Sequence, residues 1–509
     1  GIPSNAQTFA FKQTVAELVA SNKKLTKFYE STGYAPLWIG TSNLHRSRRS
    51  AFFKAISAAD THGLPVQRYN PKILKKQAQT ARTQHDLAAI EVSMSQTFLT
   101  YAADIQTGLL IPKKISKDIQ RKVPYRDHFS YLKNFANSNP NAFLKALPPT
   151  HPEYARLQRE KLKFERIVAR NSWGTSLGSA QLEPGDTGKQ VIKLRNRLIA
   201  MGYLKRNLRR KYDSKLQAAV TSFQKDHGLN SDGVAGPATL SELNTPAKRR
   251  LQSIIVAMER MRWSNKDLGD RHILVNLTDF TAKIIQNNEV TFRTRSVVGA
   301  NMESRRTPEF SDIMELMVIN PTWHVPRSIA VTEYLPVLQE DPLALDHLIL
   351  YDDFGQQVNR AMHDFNMFDE QTFPFDVKQL PSRGNALGLV KFLFPNPHNI
   401  YLHDTPEKSL FSKDRRSHGC VRLQQPFEFA YNLLKAQEQR PEEFFNAQLT
   451  TGMEISVNLK EPVPVHLIYR TATVPTDGRI NFRSDIYGRD QLIWQALSSQ
   501  GVALQTVRG

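Results

Sequence analysis

The chain has 509 residues, with 68 Lys or Arg against 48 Asp or Glu, a formal net charge of +20. That length allows about two to four domains, and 40% hydrophobic with 23% charged residues excludes disorder throughout. A single cysteine, Cys420, excludes a disulfide framework and a Cys-rich zinc site, and no stretch approaches the ~18–20 apolar residues of a spanning helix.

The basic balance, with a pI near 9.8, fits nucleic acid, a polyanionic surface or a solvated exterior. Zinc-finger spacing, an RNA-recognition signature and basic–aromatic interleaving are all missing, so nucleic acid is not expected as a partner. The chain opens Gly1-Ile2-Pro3-Ser4, with no charged segment leading into an apolar one. A cytoplasmic protein and a trimmed, exported one both fit that opening.

Residues 1–170 read as mostly helical. Phe11, Val15, Leu18 and Val19 recur at helical spacing, as do Leu87, Ile90, Met94, Phe98 and Leu99. His45, His62, His85, His128 and His151 are scattered without metal-like spacing and are expected at the surface or in caps. A Gly/Ser-rich linker over 174–188 leads into a compact unit. There Asp186 or Thr187 is expected to cap a helix carrying Val191, Leu194 and Leu198. Asp213 caps a second helix carrying Leu216, Val220 and Phe223, and Pro237 opens a third from its first helical position.

The Gly185-Asp186-x-Gly188 opening, Phe223-Gln224, Gly228-Leu229 and Asp232-Gly233-x-x-Gly236-Pro237 resemble the peptidoglycan-binding domain, a small three-helix module, over about 182–244. The resemblance implies a cell-wall ligand. The surplus of Arg195, Arg197, Lys205, Arg206, Arg209, Arg210 and Lys211 suits either acidic stem peptides or a solvated face.

From about residue 270 the period shortens to two. Runs 273–277 and 282–285 read as strands joined by a turn at Asp279, and 297–299, 316–319 and 388–392 extend the pattern. Val463, Val465, Leu467 and Tyr469 alternate near the end, and Thr476-Asp477-Gly478-Arg479 is a hairpin-turn sequence. Between Pro326 and Ser382 lies an insertion with helical spacing, of a size that often covers a site.

Chemistry concentrates around the cysteine. A thiol titrates near about 8.5 and reacts as the thiolate, so a nucleophilic cysteine needs a base beside it. His403 and His418 share its stretch, and the spacing of 17 from His403 to Cys420 allows a strand, a loop and a return. Gly419 lets the backbone approach a ligand closely, so adjacent N–H groups can serve an oxyanion. Spacing alone leaves an inert buried cysteine equally open.

His403 followed by Ser417-His418-Gly419-Cys420 resembles the signature of the YkuD-type L,D-transpeptidase domain. The segments 320–326, 388–396 and 485–490 resemble its large multi-domain YcbB-type branch, which lives in Gram-negative envelopes. The resemblance implies a multidomain α+β protein: a helical scaffold domain (1–173), a three-helix peptidoglycan-binding domain (174–247) and a mainly-β catalytic domain (248–509) with a helical capping insertion at about 327–383. It implies Cys420 as nucleophile, His403 as general base, Ser417 and His418 orienting the loop, and the N–H groups of Gly419 and Cys420 as oxyanion donors. Tyr401, two residues before His403 on the same face of a strand, lines the site, and Trp323 is a platform for the stem peptide or a core aromatic. Arg422 replaces the Asn common two positions after the cysteine and is expected to bind a substrate carboxylate.

The implied reaction joins peptidoglycan stem peptides 3→3 through a Cys thioester, releases D-alanine, needs no metal or organic cofactor, and is open to acylation by carbapenems. The alternatives are an L,D-carboxypeptidase, an enzyme that anchors or releases wall proteins, and a non-catalytic peptidoglycan-binding protein. A periplasmic location is implied, with other cell-wall synthases as candidate partners and an inner-membrane anchor through a trimmed N-terminal segment.

Overall fold

The computed structural model describes residues 5–412, 419–476 and 478–504. The fold is multidomain α+β, in two compact units: Gly1–Lys266 with Arg470–Gly509, and Asp267–Tyr469. The expected catalytic segment 248–509 is wider than the second unit at both ends. Helix Ala247–Trp263 is buried along most of its length and packs on helix Pro152–Arg170, and a two-stranded sheet of Ala472–Thr473 and Asn481–Phe482 lies in the same apolar cluster.

The first unit is helical, as its periodicity predicts. Its core gathers Trp38, Phe52, Phe98 and Phe135, with Phe98 and Phe135 ring centroids 4.6 Å apart. Glu91 is fully buried there and accepts the backbone N–H groups of Leu37, Trp38 and Ile39 and the Tyr29 hydroxyl at 2.7–3.0 Å. Burial raises its pKa against those four bonds. His62, expected at the surface or in a cap, instead reaches the Tyr154 hydroxyl, and burial lowers its pKa to about 3.

Helices Lys189–Ala200, Ser214–Asp226 and Pro237–Asn244 close around Val191, Leu194, Leu216, Val220 and Leu240. Asp213 caps the second through the Leu216 N–H at 3.0 Å. The first helix has Gly188 at its cap position with no side-chain cap, and Asp186 instead accepts the Glu183 N–H at 2.8 Å. Gln224 explains two of the motif phrases together: it accepts the Gly233 N–H and donates to Asp232 and to the Val234 carbonyl. Arg195 and Arg197 belong to no ligand-facing surface. Both are buried, Arg195 bonding Asn207, the Lys211 carbonyl and Asp213, and Arg197 the carbonyls of Trp173, Thr175 and Leu243.

The second unit is built from β1 (Arg271–Asn276), β2 (Thr281–Gln286), β3 (Glu289–Val297), β4 (Phe310–Ile319), β5 (Trp323–His324), β6 (Ile349–Tyr351), β7 (Asp376–Gln379), β8 (Val390–Leu393), β9 (Leu402–His403), β10 (Val421–Leu423) and β11 (Ile455–Ile468). Eight of these strands close a barrel in the order β1-β11-β4-β8-β9-β10-β3-β2, parallel only at β1/β11 and β9/β10. Closure removes the edges an open sheet would expose. Helix Pro426–Leu434 turns Phe429 onto Phe392 and Phe292, at centroid distances of 4.9 and 6.1 Å.

The insertion, expected to be helical, combines helix with sheet. Strands β5, β7 and β6 form a three-stranded antiparallel sheet, and Leu335, Leu338, Leu350, Phe365, Phe373 and Val377 give the insertion its own core. Its helical run over 327–340 widens to a π-turn at Ala330–Tyr334, which ends two residues before Pro336. Proline supplies no N–H to the carbonyl four residues back, which favours the wider turn there.

Candidate active site

The ladder formed by β8, β9 and β10 sets the site. Phe392 pairs with Leu402 and Leu402 with Val421, while Lys391 pairs with His403 and His403 with Arg422. Side chains alternate along a strand, so the two sets face opposite ways. Phe392, Leu402 and Val421 are fully buried and form the barrel interior. Lys391, Tyr401, His403, Cys420 and Arg422 therefore share the outer face. The Val421 N–H donates to the Tyr401 carbonyl at 3.1 Å, which carries the parallel register one residue further and sets Cys420 beside Tyr401.

Cys420 is half-buried. Its sulfur receives bonds from the Tyr401 N–H and the Tyr401 hydroxyl, and lies 3.5 Å from the Asn399 carbonyl. Burial pushes the thiol up to about 11, while the Tyr401 bonds and the Arg422 charge pull it down. Tyr401 also bonds the side chain of Trp323, so Trp323, Tyr401 and Cys420 form one chain. Trp323 is buried and meets Tyr334 edge to face at 6.3 Å.

His403 is buried, one rung along from the thiol, and its Nδ1 bonds the Asp404 carbonyl. Burial, then the Arg422 charge, lower its pKa to about 3, against the carbonyls of Asp404 and Leu387, which favour the charged ring. The imidazole is therefore neutral at rest, yet two acceptors stand ready for an imidazolium. Asp404 is fixed in turn by the Leu389 N–H at 2.9 Å and Lys408 at 2.5 Å. Gly388 (φ +63°) makes this approach possible, because a Cβ there would lie 2.4 Å from the Asp404 carboxylate.

Beneath the nucleophile, Thr307 donates to the Gly419 carbonyl at 2.7 Å and accepts the Gly299 N–H at 2.9 Å. A Cβ on Gly299 would fall 1.8 Å from the Arg305 carbonyl, so only glycine fits that crossing. Arg305 then reaches Glu333 in the π-turn of the insertion at 2.6 Å. Sequence reasoning missed Thr307, Arg305 and Lys391. Gly299, in Val297-Val298-Gly299, was the available signal for the first two.

The structure thus gathers Tyr401, His403, Gly419, Cys420, Arg422 and Trp323. Ser417 and His418 lie outside the described residues. Among the described residues no group of three or more His, Cys, Asp or Glu is placed to hold a metal, and no helix is long and apolar enough to cross a membrane.

Three family models match the chain: a scaffold domain over 23–160, a "Putative peptidoglycan binding domain" over 187–243, and the YkuD L,D-transpeptidase catalytic domain over 270–463. The last falls inside the second compact unit. A Haemophilus influenzae protein named "Putative L,D-transpeptidase" is 32% identical over 225 residues, 43% of this chain and 45% of that protein. The match thus spans under half the length of that curated relative. A crystal structure of an L,D-transpeptidase from Xylanimonas cellulosilytica shares 14% identity over 58% of this chain and all of that one, with a TM-score of 0.17, too low to carry any argument. The chain therefore carries, in order, segments that match a scaffold domain, a peptidoglycan-binding domain and the YkuD L,D-transpeptidase catalytic domain.

Proposed function

We propose that this protein forms 3→3 cross-links in peptidoglycan through a thioester on Cys420. The observation that carries the reading is the shared outer face: a thiol, an imidazole and a guanidinium on adjacent rungs of β9 and β10. His403 takes the thiol proton, and the thiolate attacks the carbonyl of the third residue, meso-diaminopimelate, of a tetrapeptide stem. The Gly419 and Cys420 N–H groups receive the oxyanion. The bond to D-alanine breaks, its amine takes the proton from His403, and a thioester remains. The side-chain amine of a second stem's third residue attacks that thioester and gives its proton to His403, and the freed thiolate then recovers a proton from the ring.

Tyr401 supports this role by bonding the sulfur, and the two carbonyls at His403 support the imidazolium while it exists. Arg422 binds a substrate carboxylate, and Trp323 holds Tyr401 while walling the site. Ser417 and His418 are assigned to orient the nucleophile loop on the strength of the signature alone. The peptidoglycan-acting domain matches support a cell-envelope location, and we assign the protein to the periplasm.

Purified protein incubated with disaccharide tetrapeptide should yield a dimer with one alanine lost per cross-link. Cys420→Ala should reduce that yield by about 10⁴-fold or more. Tripeptide monomer as the sole product would instead assign a carboxypeptidase. An unchanged dimer yield from Cys420→Ala would remove the nucleophile assignment.

A further inference from the structure

His403 has a cation on each side in the sheet. Lys391 on β8 pairs with it across one ladder, and Arg422 on β10 pairs with it across the other. Neighbouring strands lie about 4.8 Å apart, so both basic side chains start one strand spacing from the imidazole, on its face. The two differ in their surroundings. Arg422 is favoured electrostatically by Glu407 and by the thiolate form of Cys420. Lys391 is half-buried, and among the described residues its ammonium has one hydrogen bond, to the Thr322 carbonyl at 3.4 Å, and no ion pair.

The opposing charge that acts on Lys391, Glu454, accepts the Thr322 N–H and acts on the ammonium through space. His324 on β5 and His403 itself also feel the Lys391 charge. An ammonium has three donors, and burial without a partner is costly. A half-buried lysine that uses one long bond, on the face carrying the thiol, is incomplete until an anion arrives.

The chemistry of the step says which anion fits. Resting on the acyl-transfer reading above, His403 must hand its proton to the amine of the departing amino acid. In an α-amino acid the carboxylate carbon is two bonds from that nitrogen. A group on the rung beside His403 is therefore positioned for the carboxylate of the leaving residue. We propose that Lys391 is a specificity-determining substrate contact: with Arg422 it clamps the free α-carboxylate of the residue expelled from the donor stem. The clamp selects donors in which the scissile bond is followed by one residue ending in a free carboxylate. Such an ion pair carries charge-assisted hydrogen bonds out of bulk water, where they are strong.

The test uses the full chain and two donors, disaccharide tetrapeptide with a free C-terminal carboxylate and the same compound as its C-terminal amide. For Lys391→Met the expected result is a KM raised about 10- to 100-fold on the free acid, a charged hydrogen bond's usual worth. On the amide its KM should match that of the wild type. Lys391→Arg, which keeps the charge, should recover most of the loss on the free acid. A Lys391→Met variant impaired equally on both donors, or on neither, overturns the clamp, and a failed Lys391→Arg rescue removes charge as its basis. A wild type that forms no product from either donor overturns the acyl-transfer reading and the clamp with it. An active wild type with a donor-indifferent variant overturns the clamp alone.

Discussion

The buried carboxylates of the first unit and the outer face of β8, β9 and β10 in the second treat polar groups in opposite ways. In the first, each buried carboxylate is saturated. Glu259 is fully buried and accepts from the Leu110 N–H, the Trp263 indole and two nitrogens of Arg262, at 2.7–3.1 Å. Asp490 pairs with Arg260 at 2.8 Å and accepts from Thr471, while burial raises its pKa to about 6. In the second, the outer face of β8, β9 and β10 holds a neutral histidine, a protonated thiol and a half-buried ammonium with no ion pair among the described residues. Saturated charge fixes a scaffold, because every group would lose a partner if the chain moved. Unsaturated charge stores binding capacity, because the missing partners come with a ligand.

The contrast is easiest to break in the scaffold. Glu259→Ala leaves Arg262 buried with its charge uncompensated, and should destabilise the first unit by about 3–5 kcal/mol in chemical denaturation. A loss under about 1 kcal/mol would mean that the network is ornamental. The corresponding deletion in the site should act on reactivity rather than stability. Tyr401→Phe removes a hydroxyl that lowers the thiol pKa, so the thiol should titrate still higher than about 11. Its alkylation by iodoacetamide at neutral pH should slow about 10-fold, within the range of one hydrogen bond to a charged group. The melting temperature should stay where it is, and a large drop would place Tyr401 with the saturated groups of the scaffold.

Legibility followed sequence distance. The three helices over 189–244 were readable because their apolar spacing is local, as is the Asp213 cap, and Gln224 and Gly233 sit nine residues apart. The cysteine stretch was readable as a signature, yet its spacing could not say which rung each group occupies. The parallel pairing of β9 with β10 sets Cys420 beside Tyr401 and His403 beside Arg422. Strand β9 has two residues, too few for any periodicity to register. Thr307 reaches Gly419 across 112 residues, and the partners of Lys391 come from separate strands, so neither left a local pattern. The insertion misled for a related reason: its sheet is built from strands of two to four residues, Trp323–His324, Ile349–Tyr351 and Asp376–Gln379, set among helical runs.

Intact-protein mass spectrometry shows whether this thiol carries the acyl group. Wild-type protein mixed with disaccharide tetrapeptide and quenched in acid within seconds should gain the mass of the donor less one alanine. Peptide mapping should locate that mass on Cys420, in a form that hydroxylamine removes. A productive reaction with no such adduct at Cys420, or with an adduct on another residue, would mean that Cys420 is not the nucleophile.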